Sequence, residues 1–349
     1  MKNKIKQLTE KYKADYYLFT SRKETFYITG AAFDGFWMLI VKEEIYIICS
    51  QMTENQVREY FEGHNTNIYI GVPFWKSVTN ILKSKNADSV VADTKYMTAS
   101  DFILMGERLN AQDIQLISKF GVLDDMRMIK TESEAENLRE ACRIVSKVCD
   151  TVRSELRPGL SELDVHYRIL ELFSQNRVKE SFTPIVAAGK NSANPHHISS
   201  NYKISENDAV MIDLGCVYKG YCSDLTRTYY LGKISDKFRK IWDIVKQSQS
   251  AVLKDIKSGL PLSWADKTAR SVIEAAGYKD KFIHTTGHGV GIEIHEKPSL
   301  AANAEGVFLT QMAVTVEPGI YLEGEFGVRI EDTIIITEKG CEILTSAAY

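Results

Sequence analysis

The stretch DAVMIDLGCVYKGYCSDLTRTYYL, from Asp208 to Leu231, carries acidic residues in an otherwise strongly apolar setting. Asp213 interrupts a short apolar run that has the composition of a buried β-strand. A Lys-Gly turn follows, and the chain returns with Asp224, Thr226 and Thr228 on one face of a second strand. The stretch therefore predicts two neighbouring strands that each contribute one carboxylate.

A second stretch, MAVTVEPGIYLEGEFGVRIEDTIIIT from Met312 to Thr337, repeats this arrangement. Glu317 interrupts one apolar strand, and Arg329 and Glu331 share a face of another. The two acidic residues lie 104 and 107 residues after their counterparts in the first stretch. The spacing predicts that a duplicated unit superposes the two acidic pairs.

Helices repeat with nearly the same offset. RPGL at 157–160 and KSGL at 257–260 each precede an amphipathic helix. Before the first of them, Thr131 and Glu134 have the spacing of a capping box and open a long helix that we expect a Pro-Gly pair to end. We therefore predict an α+β domain built from two half-domains about a pseudo-two-fold axis, with a cleft between them as the natural site.

Residues 1–125 have a different pattern, in which strand-like and helix-like segments alternate. FWMLIVKEEIYIIC, at 36–49, predicts two strands around a turn, and the whole region predicts an α/β domain. It contains no phosphate-binding loop, and its only histidine is His64. We interpret residues 1–125 as a structural or lid domain and residues 126–349 as the domain that carries the chemistry.

Composition excludes several classes of protein. The formal net charge is −3, 44% of residues are hydrophobic and 26% are charged, which is typical of a globular protein with no basic stripe for nucleic acid. No apolar run approaches the ~20 residues of a membrane span, and we expect no signal peptide at the N-terminus. The six cysteines form no C-x-x-C pair, so we expect reduced thiols in the cytoplasm, with Cys216 and Cys222 as the one pair that could come close.

Four carboxylates that converge from two halves would resist ionisation in a cleft of low dielectric constant. Structural acids held by backbone donors are one explanation, and two divalent cations are the one we favour. HTTGHGVGIEIHE, at 284–296, holds three of the seven histidines, and its GHG turn would let His288 face inward. Oxygen ligands with one imidazole suit Mn²⁺ better than a thiolate-type zinc site.

The whole chain resembles the pita-bread metallopeptidases, the family of prolidase, aminopeptidase P, methionine aminopeptidase and creatinase. The stretches that carry the resemblance are PHH at 195–197, IDLG, SDLTRT, HTTGHGVGIEIHEKP, VEPGIY and VRIED. The resemblance implies a creatinase-type N-terminal domain at 1–125 and a pita-bread catalytic domain at 126–349. It implies five metal ligands: Asp213, Asp224, His288, Glu317 and Glu331.

The resemblance also implies roles outside the metal ligands. Glu317 would shuttle a proton, His196 and His295 would meet the substrate, and Arg329 would steady the acids that bridge the metals. His284 would support the ligands, or else it is an ordinary core histidine. His197 stands where the family often has glycine or an aromatic residue, and we assign the inward position to His196. We expect no function for His64 or His166.

The implied activity is hydrolysis of the bond between an N-terminal residue and a following proline, with two divalent ions, Mn²⁺ or alternatively Co²⁺ or Zn²⁺. Xaa-Pro dipeptidase and aminopeptidase P both fit, so short proline-containing peptides are the expected partners. A general aminopeptidase, a metal-free creatinase-like enzyme and a non-catalytic binding module are the alternatives. The resemblance further implies a homodimer, for which Phe33, Phe36 and Trp37 are candidate contacts unless they pack the N-terminal core.

Overall fold

The computed structural model describes all 349 residues and divides them into two compact units, Met1–Asp125 and Met126–Tyr349. No helix in either unit combines the length and the apolar character that crossing a bilayer requires.

The first unit is a mixed sheet with helices. Its strands are β1 (Tyr16–Phe19), β2 (Phe36–Val41), β3 (Glu44–Cys49), β4 (Thr66–Ile70), β5 (Ser89–Asp93) and β6 (Gln115–Lys119). Its helices are α1 (Lys2–Tyr12), α2 (Arg22–Thr29), α3 (Glu54–Phe61), α4 (Phe74–Ser84) and α5 (Ala99–Asn110), and the short α6 (Asp124–Met128) contains the boundary between units. The strand order is β4-β3-β2-β1-β5-β6, with β1–β2 and β2–β3 antiparallel and the other neighbours parallel.

The hairpin predicted at 36–49 is confirmed, with β2 and β3 joined at Lys42, whose φ of 55° places it in the left-handed region that such a turn needs. For the aromatic residues beside this hairpin, the sequence left open either a dimer contact or packing within the N-terminal core. Phe36 is buried, and its ring lies 5.4 Å from that of Phe33 and 5.8 Å from that of Phe61. Trp37 packs edge-on against Phe74. These rings therefore pack within the first unit.

The second unit contains four long helices and several small sheets. Its helices are α7 (Glu132–Glu155), α8 (Glu162–Gln175), α9 (Asp236–Asp255) and α10 (Leu262–Ala275). Its strands are β7 (Lys179–Glu180), β8 (Ile185–Ala188), β9 (Ala209–Leu214), β10 (Cys216–Tyr218), β11 (Tyr221–Cys222), β12 (Leu225–Tyr230), β13 (His288–Gly289), β14 (Glu296–Ser299), β15 (Ala313–Val316), β16 (Gly319–Leu322), β17 (Phe326–Arg329), β18 (Asp332–Ile336) and β19 (Cys341–Ile343).

Each half of the second unit has its own core. In the first half, residues 131–231, α7 and α8 cover the sheet β12-β9-β8. In the second half, residues 235–344, α9 and α10 pack on the sheet β14-β13-β15-β18-β19. The equivalent pairs β9–β12 and β15–β18 are both antiparallel.

The predicted internal repeat is visible in backbone geometry. Gly159 and Gly259 have φ angles of 92° and 90°. Their N–H groups donate to Ile204 O and Phe308 O, each at 2.8 Å, so the two halves repeat this contact with donors 100 and acceptors 104 residues apart. The capping box at Thr131 is also confirmed, although α7 ends at Glu155, before the Pro-Gly pair expected to end it.

The six cysteines are all free thiols. Cys216 and Cys222, the pair that could have come close, instead reach different partners: the Cys216 sulfur lies 3.4 Å from Ala141 O, and that of Cys222 lies 3.6 Å from Ile292 O. No disulfide constrains either half.

Candidate active site

One cavity of about 680 Å³ in the second unit gathers the side chains that the sequence patterns singled out. Its walls include the five residues expected as metal ligands: Asp213, Asp224, His288, Glu317 and Glu331. They also include the other residues expected at the site: His196, His284, His295 and Arg329.

The four carboxylates come from strand pairs that are equivalent in the two halves. Asp213 lies in β9 opposite Thr226 of β12, and Asp224 directly precedes β12. Glu317 directly follows β15, and Glu331 directly precedes β18. Three of the four therefore lie at strand ends, whereas the sequence pattern predicted strand interiors for Glu317 and Glu331. Each half still supplies one carboxylate from each strand of its pair.

The carboxylates surround one imidazole. Single ligand-type atoms of Asp224, His288 and Glu331 all lie within 4.8 Å of one another. His288 Nε2 is 3.5 Å from Asp224 Oδ2 and 3.4 Å from Glu317 Oε1. These distances leave room for a cation to lie between the oxygens and the nitrogen.

The His288 ring presents a lone pair to these oxygens. Its Nδ1 lies 3.0 Å from Gly289 O, and since a carbonyl only accepts, Nδ1 carries the proton. Burial, together with the nearby His295, lowers the pKa of His288 to about 4, so the ring is neutral and Nε2 is unprotonated near pH 7. A lone pair that faces carboxylate oxygens is repulsive unless a cation lies between them.

The carboxylates also have the electrostatic properties of a cation site. Burial raises the pKa of Asp224 and of Glu331 well above the ordinary values, and neighbouring carboxylates raise both further. Burial likewise raises the pKa of Glu317 to about 7. Asp213 Oδ1 is buried and has no hydrogen-bond partner. Buried acids and an unused acceptor are what a divalent cation would satisfy, so the donor set fits a metal centre.

Arg329 braces the carboxylates of the cluster through hydrogen bonds. It is buried, and its Nη2 donates to Asp213 Oδ2 at 2.6 Å. Its Nε donates to Thr226 Oγ1, which itself donates to Glu331 Oε2 at 2.7 Å. One guanidinium thus fixes a carboxylate from each half, and the planar fork of arginine suits that task.

His284 is held within the same network. Its Nδ1 lies 2.8 Å from Thr285 O and so carries the proton, which leaves Nε2 to accept from the Tyr321 hydroxyl at 2.9 Å. Tyr321 also accepts from Arg329 Nη1 at 2.9 Å. Burial lowers the pKa of His284 to about 4, and the positive Arg329 lowers it further, so the ring stays neutral. Both ring nitrogens are engaged inside the protein.

His196 and His295, the two histidines expected to meet substrate, have different surroundings. The His295 ring lies 4.2 Å from that of His288, edge to face. His196 is exposed, and its ring makes no hydrogen bond. By contrast, His197 Nε2 lies 2.8 Å from the buried carboxylate of Glu162. Of the adjacent pair, His196 is therefore the one left available.

Of the two histidines expected to lack function, His64 does not line the cavity and His166 lies at its wall. His64 stacks on Tyr60 in the first unit. His166 lies at the wall of the cavity, with Nδ1 2.9 Å from Pro184 O, which its position on an amphipathic helix did not indicate.

The sequence patterns did not single out Tyr321, which bonds His284 and Arg329, or Glu162, which bonds His197. Tyr321 lies in VEPGIY, four residues after Glu317, and its place in that motif was the available signal. Glu162 lies at the start of α8, where an acid is ordinary, so no pattern linked it to the loop it holds.

Fold and cavity together define a metallopeptidase. Residues 136–338 match the model of metallopeptidase family M24, and residues 2–129 match the creatinase/prolidase N-terminal domain. The chain belongs to metallopeptidase family M24, and the expected pita-bread fold is confirmed. Family membership implies divalent metal ions.

Named relatives and solved structures extend along the whole chain. An Xaa-Pro dipeptidase of Pyrococcus horikoshii is 32% identical over 350 residues, which cover 99% of this chain and 97% of the relative. The structure of an Xaa-Pro dipeptidase from Bacillus anthracis is 34% identical, with a TM-score of 0.95 and coverage of 99% and 98%. An X-Pro aminopeptidase from Thermotoga maritima is 27% identical, with a TM-score of 0.89 and coverage of 98% for both chains.

Proposed function

We propose that this protein is a metal-dependent exopeptidase that hydrolyses the bond between an N-terminal residue and a following proline. The observation that carries the proposal is the convergence of four carboxylates, three buried and one partly buried, and a neutral imidazole on one cavity. The names of the similar proteins support the substrate class.

Two divalent ions would be held by Asp213, Asp224, His288, Glu317 and Glu331. Oxygen donors with a single imidazole favour Mn²⁺, with Co²⁺ and Zn²⁺ as alternatives. When bound, the ions would polarise the peptide carbonyl and lower the pKa of a water molecule to about 7.

The remaining steps belong to side chains of this chain. Glu317 accepts a proton on its carboxylate and passes it toward the leaving nitrogen. His295 and His196 donate hydrogen bonds to the substrate carbonyl as negative charge develops on its oxygen. Arg329 holds Asp213 in place while charge in the cavity changes.

The cavity also has apolar walls, among them Phe182, Pro184 and Ile294. A proline ring has a fixed φ and no amide hydrogen, so its recognition depends on shape and apolar contact more than on a donated hydrogen bond. A cavity of about 680 Å³ suits a short peptide or the end of a longer one.

The test compares kcat/KM for Ala-Pro, Ala-Pro-Ala, Ala-Ala and Met-Ala-Ser with Mn²⁺ present and after chelation. We expect the proline peptides to exceed the others by roughly tenfold or more, a ratio that one well-fitted apolar contact can supply. Turnover of Ala-Pro alone would indicate a dipeptidase, and good turnover of Ala-Pro-Ala an aminopeptidase P.

Equal cleavage of the proline-free peptides would overturn the proline preference and favour a general aminopeptidase. Activity that survives complete removal of metal would favour a creatinase-like mechanism. Binding without any turnover would favour a non-catalytic module.

We also infer that the protein is a homodimer and that it lies in the cytoplasm. All six cysteines are free thiols, as is usual for proteins of that reducing compartment. The dimer follows from the family resemblance; of its candidate contacts, Phe36 is buried within the first unit, whereas Phe33 and Trp37 are only partly buried. Light scattering at micromolar concentration should give twice the chain mass of 39.5 kDa. A monomer mass at that concentration would contradict it.

A further inference from the structure

Glu162 is a fully buried carboxylate that the chemistry described above does not use. It lies in the first turn of α8, after the N-cap Ser161. Burial raises the pKa of Glu162. Hydrogen bonds from Asn191, Ala188, His197 and Ser200 outweigh burial and hold the pKa below its usual value. A buried acid that stays ionised must have a dense set of donors.

Those donors come from the two ends of one loop. Glu162 Oε1 accepts from Ala188 N at 2.8 Å and from Asn191 Nδ2 at 2.9 Å, where the loop leaves β8. Oε2 accepts from His197 Nε2 at 2.8 Å and from Ser200 N and Oγ at 2.9 and 2.7 Å, where the loop ends. One carboxylate therefore ties the entrance of loop 188–200 to its exit.

His196 lies inside this loop, beside the tied exit. Its ring faces the cavity without a hydrogen bond, so nothing on the ring itself fixes its direction. Direction must come from the backbone on either side. His197 and Ser200, both bonded to Glu162, supply that constraint on the downstream side.

The second half provides an equivalent for this arrangement. His295 lies 99 residues after His196, and the next residue, Glu296, is again buried in an ionic cluster. Glu296 Oε1 accepts from Lys130 Nζ at 3.0 Å, and Oε2 contacts Arg127. In both halves, the residue after the cavity histidine is anchored in the protein interior.

We propose that Glu162 and His197 are positioning residues, which together hold loop 188–200 in the conformation that presents His196 to the substrate. The proposal rests on the proposed function, because it takes His196 as the group that meets the peptide. It predicts that the pair acts on catalysis through His196 and through no other residue.

The test is a double-mutant cycle measured on Ala-Pro with Mn²⁺. His197→Phe keeps a ring and removes the donor, and we expect kcat to fall by about 10–100-fold, the usual loss when such a supporting hydrogen bond is removed. His197→Gln keeps an amide donor toward Glu162 and should recover most of kcat. In a His196→Ala background, His197→Phe should change kcat by less than about twofold, because coupled residues are not additive.

Glu134→Gln is the matched control, since Glu134 is a buried glutamate in the capping box of α7 and does not line the cavity. It should lower the melting temperature and leave kcat unchanged. Metal content should stay at the wild-type value in all the variants. Equal losses from His197→Phe in both backgrounds, or full activity of His196→Ala, would overturn the positioning role.

A second measurement does not depend on activity. Glu162→Gln weakens the acceptor for the Ala188 and Ser200 amides, and their hydrogen exchange should accelerate about tenfold or more. Wild-type protein that hydrolyses none of the peptides would contradict the proposed function alone. Unchanged hydrogen exchange at both amides would contradict, independently of activity, the role of Glu162 in holding loop 188–200.

Discussion

Replacement of His288 by alanine is expected to abolish peptide hydrolysis and metal retention together. His288 Nε2 is the one unprotonated nitrogen that faces Asp224 and Glu317 within 3.5 Å. Without it we expect kcat to fall by roughly 10³-fold or more, since the site then loses a ligand for the ions that would lower the pKa of water to about 7.

His295→Ala provides the sharpest comparison, because the two rings are only 4.2 Å apart. We expect this variant to keep its metal and to lose about 10²–10³ in kcat, the usual effect of removing one donor to a developing oxyanion. His64→Ala, in the first unit, is the silent control.

The measurements are metal per chain by elemental analysis after loading with Mn²⁺, melting temperature with and without chelator, and kcat on Ala-Pro. A ligand that binds only the folded state adds about 2.7 kcal/mol at 100 times its Kd, so Mn²⁺ should raise the melting temperature of wild type and of His295→Ala. His288→Ala should lose most of that gain. If His295→Ala loses a metal ion instead, the division of roles between the histidines is wrong.

Arg329→Met is expected to give the largest loss of stability. The guanidinium is buried and bonds Asp213, Thr226 and Tyr321. Removing one partner of a buried ion pair typically costs about 3–5 kcal/mol, because an uncompensated charge stays behind. The loss should be greatest in metal-free protein, where nothing else offsets the crowded carboxylates.

Urea unfolding of wild type and variant, with and without Mn²⁺, measures this loss. Arg329→Lys is the matched variant: it keeps the positive charge but cannot bond three partners in one plane, so it should recover only part of the stability. An Arg329→Met protein within about 1 kcal/mol of wild type in the absence of metal would show that Asp213 needs no fixed counter-charge.

The sequence patterns predicted much of the fold because the two half-domains repeat the same arrangement of strands and acidic residues. The offsets between Asp213 and Glu317 and between Asp224 and Glu331 gave the equivalence of two strand pairs without any structure. Local rules also sufficed for the capping box at Thr131, which depends on residues three apart.

What the patterns could not give are contacts between distant parts of the chain. Glu162 reads as an ordinary first-turn acid, and its bond to His197 spans 35 residues. Tyr321 stood in a quoted motif, yet its link to His284 depends on how strand β16 meets the loop that carries His284. The packing of Phe36 against Phe61 likewise joins two separate elements, and the aromatic content beside glycines had left core packing and a dimer contact both open.

The two separate cores of the second unit bear on how the active site is completed. Each half can bury its own apolar face, yet each holds only two of the four carboxylates. Their meeting is fixed by cross-bonds such as Glu331 N to Thr226 O and Arg227 to Asp332. The site is therefore complete only where the two halves are docked on each other, because neither half alone carries all four carboxylates. Activity in this protein is thus also a direct report of completed assembly.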